Sequence, residues 1–375
     1  MARDGFGRHR TTFFSWAFFM KILTSLAVGL LAALGLASCH TGPDATPQPT
    51  PTPSPAPAAV RDTLAYSFAV LGCNRVDNSD LNLAANPSTA NVPQLNQTYA
   101  ELATLKPVPD YLFFMGDMVL GYSPDSAVIG HELRAWVRLY QAAPLSRTSI
   151  RLVAMPGNHE VMSGKNQPSF AGAELAWRNA MRPYIVGSNG PAAGGVDKLT
   201  TDQSRLTYSF DYKKSHFVVL NTDPVGAEAT VPLAWLQTDL AAAHTKGSQH
   251  IFAFGHKPAL PAPGGDGLRN GGSMWDVLEA NHAEAMLAAH NHLYFRSQQP
   301  NYHPWQVIAG NGGSVLDASA SPNKLFYGYT LVKVFTSGKV KAYSYGRDLP
   351  ANGYLGAVTT ATPTTVRDSV DLTWK

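Results

Sequence analysis

The chain has 375 residues, 45% of them hydrophobic, enough for one large α/β domain or two small ones with a real core. Its formal net charge of +3 sits at the front: residues 1–39 hold Arg3, Arg8, Arg10 and Lys21 against Asp4 alone, and the remainder balances. A neutral remainder has no global field to steer it onto nucleic acid, and no nucleic-acid groove is evident.

Residues 1–39 read as an export signal. Lys21 precedes an apolar run from Ile22 to Leu36, short of the roughly 20 residues of a membrane span. The run ends in Leu36-Ala37-Ser38-Cys39, which resembles a bacterial lipobox, where the cysteine takes a lipid and becomes the mature N-terminus. The alternative is a cleaved signal peptide in which Cys39 is incidental. Residues 40–60 are a Pro/Thr-rich linker; alternating prolines favour extended polyproline II and build no core. The expected address is therefore extracytoplasmic, at the periplasm or cell surface of a bacterium, with membrane contact through the N-terminal lipid only. Lipidation of Cys39 leaves Cys73, the second of two cysteines, as a lone thiol in an oxidising compartment.

Residues 61–350 have the texture of a folded domain, with 351–375 a C-terminal extension. Tyr66–Leu71 is an apolar run rich in aromatic and β-branched residues and predicts a buried strand ending at Gly72. Leu95–Leu105 has helical spacing. Tyr111–Met115 predicts a second strand, stopped by Gly116-Asp117; His131–Ala143 a helix, stopped by Pro144; Ile150–Met155 a third strand, stopped by Pro156-Gly157-Asn158-His159-Glu160. Residues 162–205, rich in Gly, Asn and Pro, predict an irregular excursion. Leu206–Tyr212 and His216–Asn221 predict a hairpin, and Pro232–His244 a helix with proline in its first turn. Ile251–Phe254 stops at Gly255-His256, Trp275–Asn281 reads as helix, and Ala285–Ala289 stops at His290-Asn291-His292. Gln306–Ala309 stops at Gly310-Asn311-Gly312-Gly313, read foremost as a structural turn. Tyr329–Phe335 and Lys339–Tyr345 predict a late hairpin.

Five apolar strands thus end in turns carrying polar residues, and ligands of α/β proteins bind beyond the carboxyl ends of strands. Each motif is weak alone. In this order they resemble the calcineurin-like metallophosphoesterases over roughly residues 64–345: strand–Gly116-Asp117, strand–Gly157-Asn158-His159-Glu160, strand–Gly255-His256, strand–Ala289-His290-Asn291-His292. The Gly-Asn-His-Glu block and the stretch His290–Arg296 lean toward the purple acid phosphatase branch. The resemblance implies an α/β fold, a two-sheet β-sandwich flanked by helices in four αββα layers. It implies one or two divalent or trivalent ions (Zn, Mn or Fe) and hydrolysis of a phosphate-ester small molecule or nucleotide by metal-bound hydroxide. Asp117, Asn158, His256 and His290 would hold one ion, with Asp117 bridging to a second served by His292. His159 would contact the phosphate and help the leaving group depart, and Glu160 would be structural. His131, His216, His250, His282 and His303 are read as ordinary histidines.

The chain departs from the family pattern where the first strand should end in Asp-x-His or Asp-x-Gly. Here Cys73 stands in the aspartate's place and Arg75 two residues on. Either Cys73 ligates as thiolate, or Asn74, Asp77 or Asp80 reaches in, or the first site is weak or empty with Arg75 supplying positive charge to the phosphate, or Cys73 is a small buried residue. Asn74 and Arg75 are candidate substrate contacts. The tyrosine expected three residues after the bridging aspartate is replaced by Leu120, with Tyr122 displaced by two. The rival to an enzyme is a non-catalytic phosphate- or nucleotide-binding envelope lipoprotein with a degenerate metal site.

Overall fold

The computed structural model describes residues 62–76, 90–317, 325–348 and 362–374. The expected export signal, Cys39, the linker, Asp77 and Asp80 lie outside the described residues. In chain order the first half runs β1 (Leu64–Leu71), α1 (Asn91–Thr104), β2 (Tyr111–Met115), α2 (Ser126–Ala142), β3 (Arg151–Met155), the four-residue α3 (Asn158–Val161), α4 (Ala171–Ala180), β4 (Tyr208–Tyr212) and β5 (Ser215–Leu220). The second half runs α5 (Leu233–Thr245), β6 (His250–Gly255), α6 (Gly271–Ala280), β7 (Ala285–Ala288), β8 (Tyr294–Gln298), β9 (Trp305–Ala309), β10 (Tyr327–Phe335), β11 (Val340–Arg347) and β12 (Thr365–Asp371). Among the described residues no helix is long and apolar enough to cross a membrane.

The strands form two six-stranded sheets, ordered β12-β11-β10-β1-β2-β3 and β4-β5-β6-β7-β9-β8. Strands β1, β2 and β3 are mutually parallel, as are β5, β6, β7 and β9; the remaining pairings are antiparallel. Successive side chains of a strand point to opposite faces, and here both faces are covered. Tyr66, Phe68, Val70 and Phe113 of the first sheet meet Phe217, Phe252, Phe254 and Leu287 of the second between the sheets. The alternate residues Ala69, Leu71, Leu112 and Phe114 pack outward with Leu95, Leu133, Trp136 and Trp177 of the helices. On the far side Val218, Leu220, Ile251 and Ala253 pack with Leu236, Leu240 and Trp275. The result is the expected four-layer αββα sandwich. Its centre is aromatic: Phe113 stacks on Phe254 with ring centroids 3.9 Å apart, and burying each such side chain stabilises the fold by roughly 1.5–3 kcal/mol.

Several elements differ from expectation. The α2 helix begins at Ser126, a turn before His131, because the Asp125 carboxylate caps it by accepting from Ala127 N at 2.8 Å. The α1 helix likewise begins at Asn91. The segment 162–205 contains a real helix, α4, whose Trp177 is buried against α2. Two strands have no apolar signature. Strand β8 is an edge strand beside β9, and β12, within the segment read as a separate extension, extends the first sheet beside β11. Residues Thr365–Asp371 of that extension are therefore part of the sandwich. The Asp368 carboxylate on β12 accepts hydrogen bonds from Tyr294 Oη at 2.7 Å and Arg296 Nε at 2.5 Å on β8, so it ties the edge of one sheet to the edge of the other. Asp368→Ala should lower stability by about 1 kcal/mol, a figure reduced by solvent screening at this partly exposed pair, and the melting temperature by about 2–4 °C. A thermal melt unchanged by the substitution would contradict this role.

Candidate metal centre

The carboxyl ends of β1, β2, β3, β6, β7 and β9 lie along one rim, and the polar turns that follow them converge there. Backbone bonds hold the rim together across both sheets. Gly72 N donates to Ala309 O at 2.9 Å and Gly312 N to Gly72 O at 3.0 Å. Gly116 has φ +78°, and a Cβ there would stand 2.5 Å from Gly157 N, so only glycine lets the β2 and β3 turns approach this closely. The Gly310–Gly313 turn serves this frame, with the Asn311 side chain donating to Phe326 O at 3.0 Å.

Asp117 lies at the centre, fully buried and in the left-handed region at φ 53°. Its Oδ1 lies 3.1 Å from His256 Nε2, and its Oδ2 accepts from Arg75 Nε at 3.1 Å and Nη2 at 2.9 Å. Burial would raise its pKa, but His159, His256 and Arg75 hold it well below the usual carboxylate range. Glu160 acts as expected, as a structural staple. Its Oε2 accepts from Asp117 N at 2.9 Å and Gly157 N at 2.7 Å, and its Oε1 from Val119 N at 3.1 Å, which locks the β2 and β3 turns in register. Burial and then Asp117 push its pKa up to about 8.

Four donor atoms meet around His256. Its Nδ1 faces a carbonyl, Met115 O, at 2.8 Å, so that nitrogen carries the proton and Nε2 carries the lone pair. Burial pushes its pKa down to about 3, so the ring is neutral. The bare Nε2 nevertheless lies 2.8 Å from Asn158 Oδ1, 3.1 Å from Asp117 Oδ1 and 3.0 Å from His290 Nδ1. His290 Nε2 lies 2.6 Å from Asp266 Oδ1, so Nδ1 is the nitrogen that His290 turns toward the group. Lone pairs pointed at one another over such distances repel unless a proton or a metal ion lies among them. The donor set, two imidazoles with a carboxylate and an amide oxygen, suits Zn, Mn or Fe. The ligating atoms of Cys73, Asp117 and His256 also lie within 4.8 Å of one another, so the thiol sulfur borders the same group.

The other expected residues fall around this group. The Cys73 Sγ is buried and accepts from His290 N at 3.1 Å; burial, then Asp117, push the thiol's pKa well up. His292 donates through Nδ1 to Val315 O at 2.7 Å, and its buried Nε2 has no hydrogen-bond partner among the described residues. His159 donates through Nδ1 to Leu120 O at 2.5 Å, its Nε2 lies 3.8 Å from Asp117 Oδ2, and burial pushes its pKa down to about 4. Asn74 corrects an expectation. It is fully buried, and its Nδ2 donates to Asn91 O at 2.6 Å and Gly312 O at 3.0 Å, so its amide belongs to the frame and not to a substrate. A cleft of about 780 Å³ opens onto the centre, lined among others by Arg75, Asn158, His159, Lys165, His290 and His292.

Sequence reasoning missed three residues. Tyr122 stacks on His159 with ring centroids 3.7 Å apart, and its hydroxyl accepts from Asn158 Nδ2, which turns Asn158 Oδ1 inward. Asp266 fixes the His290 tautomer; that hydrogen bond holds its own pKa down to about 2. Asp317 accepts from His292 N at 2.8 Å. Only Tyr122 had a signal, its offset from the family's tyrosine position. Such outer carboxylates orient metal-binding imidazoles. Asp266→Ala should weaken Zn binding about 10–100-fold in a competition titration against a chromophoric chelator, and an unchanged affinity would show that His290 does not depend on it.

A sequence model of the calcineurin-like phosphoesterase family matches residues 79–294. No curated protein sequence matches the chain. Among solved structures, a purple acid phosphatase from yellow lupin (Lupinus luteus) seeds superposes with a TM-score of 0.54 at 15% identity, covering 75% of this chain and 51% of its own. The chain thus spans about half the length of that enzyme, and at this identity the likeness speaks to the fold. GAP50, the anchor in the inner membrane complex of Plasmodium, is 12% identical over 76% of this chain and 85% of its own, with a TM-score of 0.48. A dimetal phosphatase from Danio rerio is 11% identical over 84% of this chain and 100% of its own, with a TM-score of 0.46.

Proposed function

The chain belongs to the calcineurin-like phosphoesterase family, and from that premise we propose that it hydrolyses phosphate esters outside the cytoplasm, using an ion of Zn, Mn or Fe held by Asp117, Asn158, His256 and His290. The observation that carries this reading is the convergence of two imidazole nitrogens, a carboxylate oxygen and an amide oxygen around His256 Nε2, an arrangement that a metal ion among them would stabilise. Such an ion, when bound, supplies Lewis acidity at the phosphoryl oxygen and a more acidic water.

The chain's own groups do the rest. Arg75 and Lys165 line the cleft and give it positive potential toward an anionic ester. Leu120, Val315 and Leu316 add apolar wall that excludes water from part of the site. His159, beside Asp117 and on the cleft, is the group we assign to the leaving oxygen; its Nδ1–H is held by Leu120 O, so the proton it gives is one taken up at Nε2, which the Asp117 charge favours against burial. The cleft volume of about 780 Å³ admits a nucleotide as readily as a smaller phosphate ester. The extracytoplasmic, lipid-anchored address is supported by Leu36-Ala37-Ser38-Cys39 and the proline-rich stretch behind it.

A second reading, phosphate binding without turnover, is favoured by one observation: Cys73 stands where the family keeps a carboxylate. Turnover of a chromogenic phosphomonoester and a phosphodiester, with and without added Mn, Zn or Fe, decides between them. The hydrolase reading expects metal-dependent activity on at least one, and a His159→Gln variant that keeps its metal while losing about 10²-fold or more in kcat. A well-folded, metal-loaded chain inactive on both substrates would leave only the binding protein.

A further inference from the structure

Resting on the reading above and narrowing it, we propose that the centre holds a single metal ion and that the Arg75 guanidinium occupies the place of a second cation, clamped to Asp117 and presented to the incoming phosphate. A carboxylate that bridges two ions must offer an oxygen to each. In Asp117 Oδ1 faces the donor group around His256, while Oδ2 accepts two N–H groups from Arg75, at 3.1 and 2.9 Å. The remaining donors do not build another site. The Cys73 sulfur already accepts from His290 N, and its nearness to both Asp117 and His256 makes it a neighbour of the first ion. Of the six expected metal ligands, Cys73, Asp117, Asn158, His256, His290 and His292, only His292 then keeps an unpartnered buried atom among the described residues, its Nε2. A lone neutral imidazole beside a permanent guanidinium charge is a poor host for a further dication.

The turn that carries Arg75 is built to aim it. Asn74 N and Arg75 N both donate to Asp117 O at 2.8 Å, and Val76 N donates to Met118 O at 2.9 Å, so the turn lies directly on the Asp117 segment. The Asn74 amide bolts it to Asn91 and Gly312. Cys73 and Arg75 hold φ of 60° and 55°, conformations that non-glycine residues adopt only when the surroundings impose them. The guanidinium is not sealed away: the Arg75 side chain is 24% exposed and borders the same cleft as Asn158, His159 and His290. A planar fork of N–H donors there suits a phosphate oxygen as well as it suits Asp117.

The test uses the full chain loaded with Zn or Mn and freed of excess ion. Elemental analysis should find one equivalent per chain. Calorimetric titration with inorganic phosphate should show binding that weakens about 10–100-fold in Arg75→Met, with metal content kept, and recovers in part in Arg75→Lys. Two equivalents in the unaltered chain would overturn this inference while leaving the hydrolase reading intact. So would an Arg75→Met chain that still holds one ion and binds phosphate as before. No bound metal at all would overturn the hydrolase reading and this inference together. The count in the unaltered chain decides between one ion and two even where Arg75→Met fails to fold, and the phosphate titration of Arg75→Lys then tests the guanidinium.

Discussion

The Asp117 carboxylate has no exposed surface, and the rim of the sandwich is organised around its charge. An ion of that size taken from water without compensation costs several kcal/mol, and removing one partner of a buried pair costs about 3–5 kcal/mol. Compensation comes from every side. Arg75 binds one oxygen from the β1 turn, and His159 N donates to the other at 3.3 Å from α3. His256 approaches Oδ1 from the β6 end in the other sheet with a bare nitrogen, which leaves that side of the carboxylate to the metal ion. Glu160, itself buried, binds the Asp117 backbone and not its side chain, so the two acids share a turn without sharing a charge site.

That demand explains why the rim joins two sheets. Parallel strands place all their carboxyl ends on one side, so turns distant in sequence become neighbours. His256 Nδ1 donates across the sheet boundary to Met115 O, and the His290 backbone donates to the Cys73 sulfur of the opposite sheet. These contacts orient the imidazoles before any ion arrives. The aromatic layer beneath, with Phe68, Phe113, Phe217 and Phe254 in mutual contact, fixes the sheet separation on which those distances depend. Asp368 closes the far edge in the same sense, by binding β12 to β8.

The parts of this arrangement that were legible in the sequence are those carried by local pattern. Apolar runs ending at Gly116-Asp117, Gly157-Asn158, Gly255-His256 and Ala289-His290 mark strand ends unambiguously, because a buried strand must be apolar on both faces and must stop where polar groups begin. Helix starts were read late, since the first turns from Ser126 and Asn91 precede the apolar stripe. Strands β8 and β12 were hidden, because edge strands such as Tyr294–Gln298 and Thr365–Asp371 carry charge and lack a second covered face. Asp266 was hidden for another reason. It sits in an irregular glycine-rich loop 24 residues from His290, and no periodicity connects them. At the Cys73-Asn74-Arg75 turn the residue types were visible but their directions were not. Only the backbone, left-handed at Cys73 and Arg75, sends Asn74 into the frame and Arg75 toward Asp117.

The most direct test of this arrangement is anomalous diffraction from crystals of the chain grown with Zn. The account predicts one strong peak in contact with His256 Nε2, His290 Nδ1, Asn158 Oδ1 and Asp117 Oδ1, with metal–nitrogen distances of about 2.0–2.1 Å. An ion bound elsewhere, with the His256 and His290 nitrogens still facing each other across no density, would contradict it.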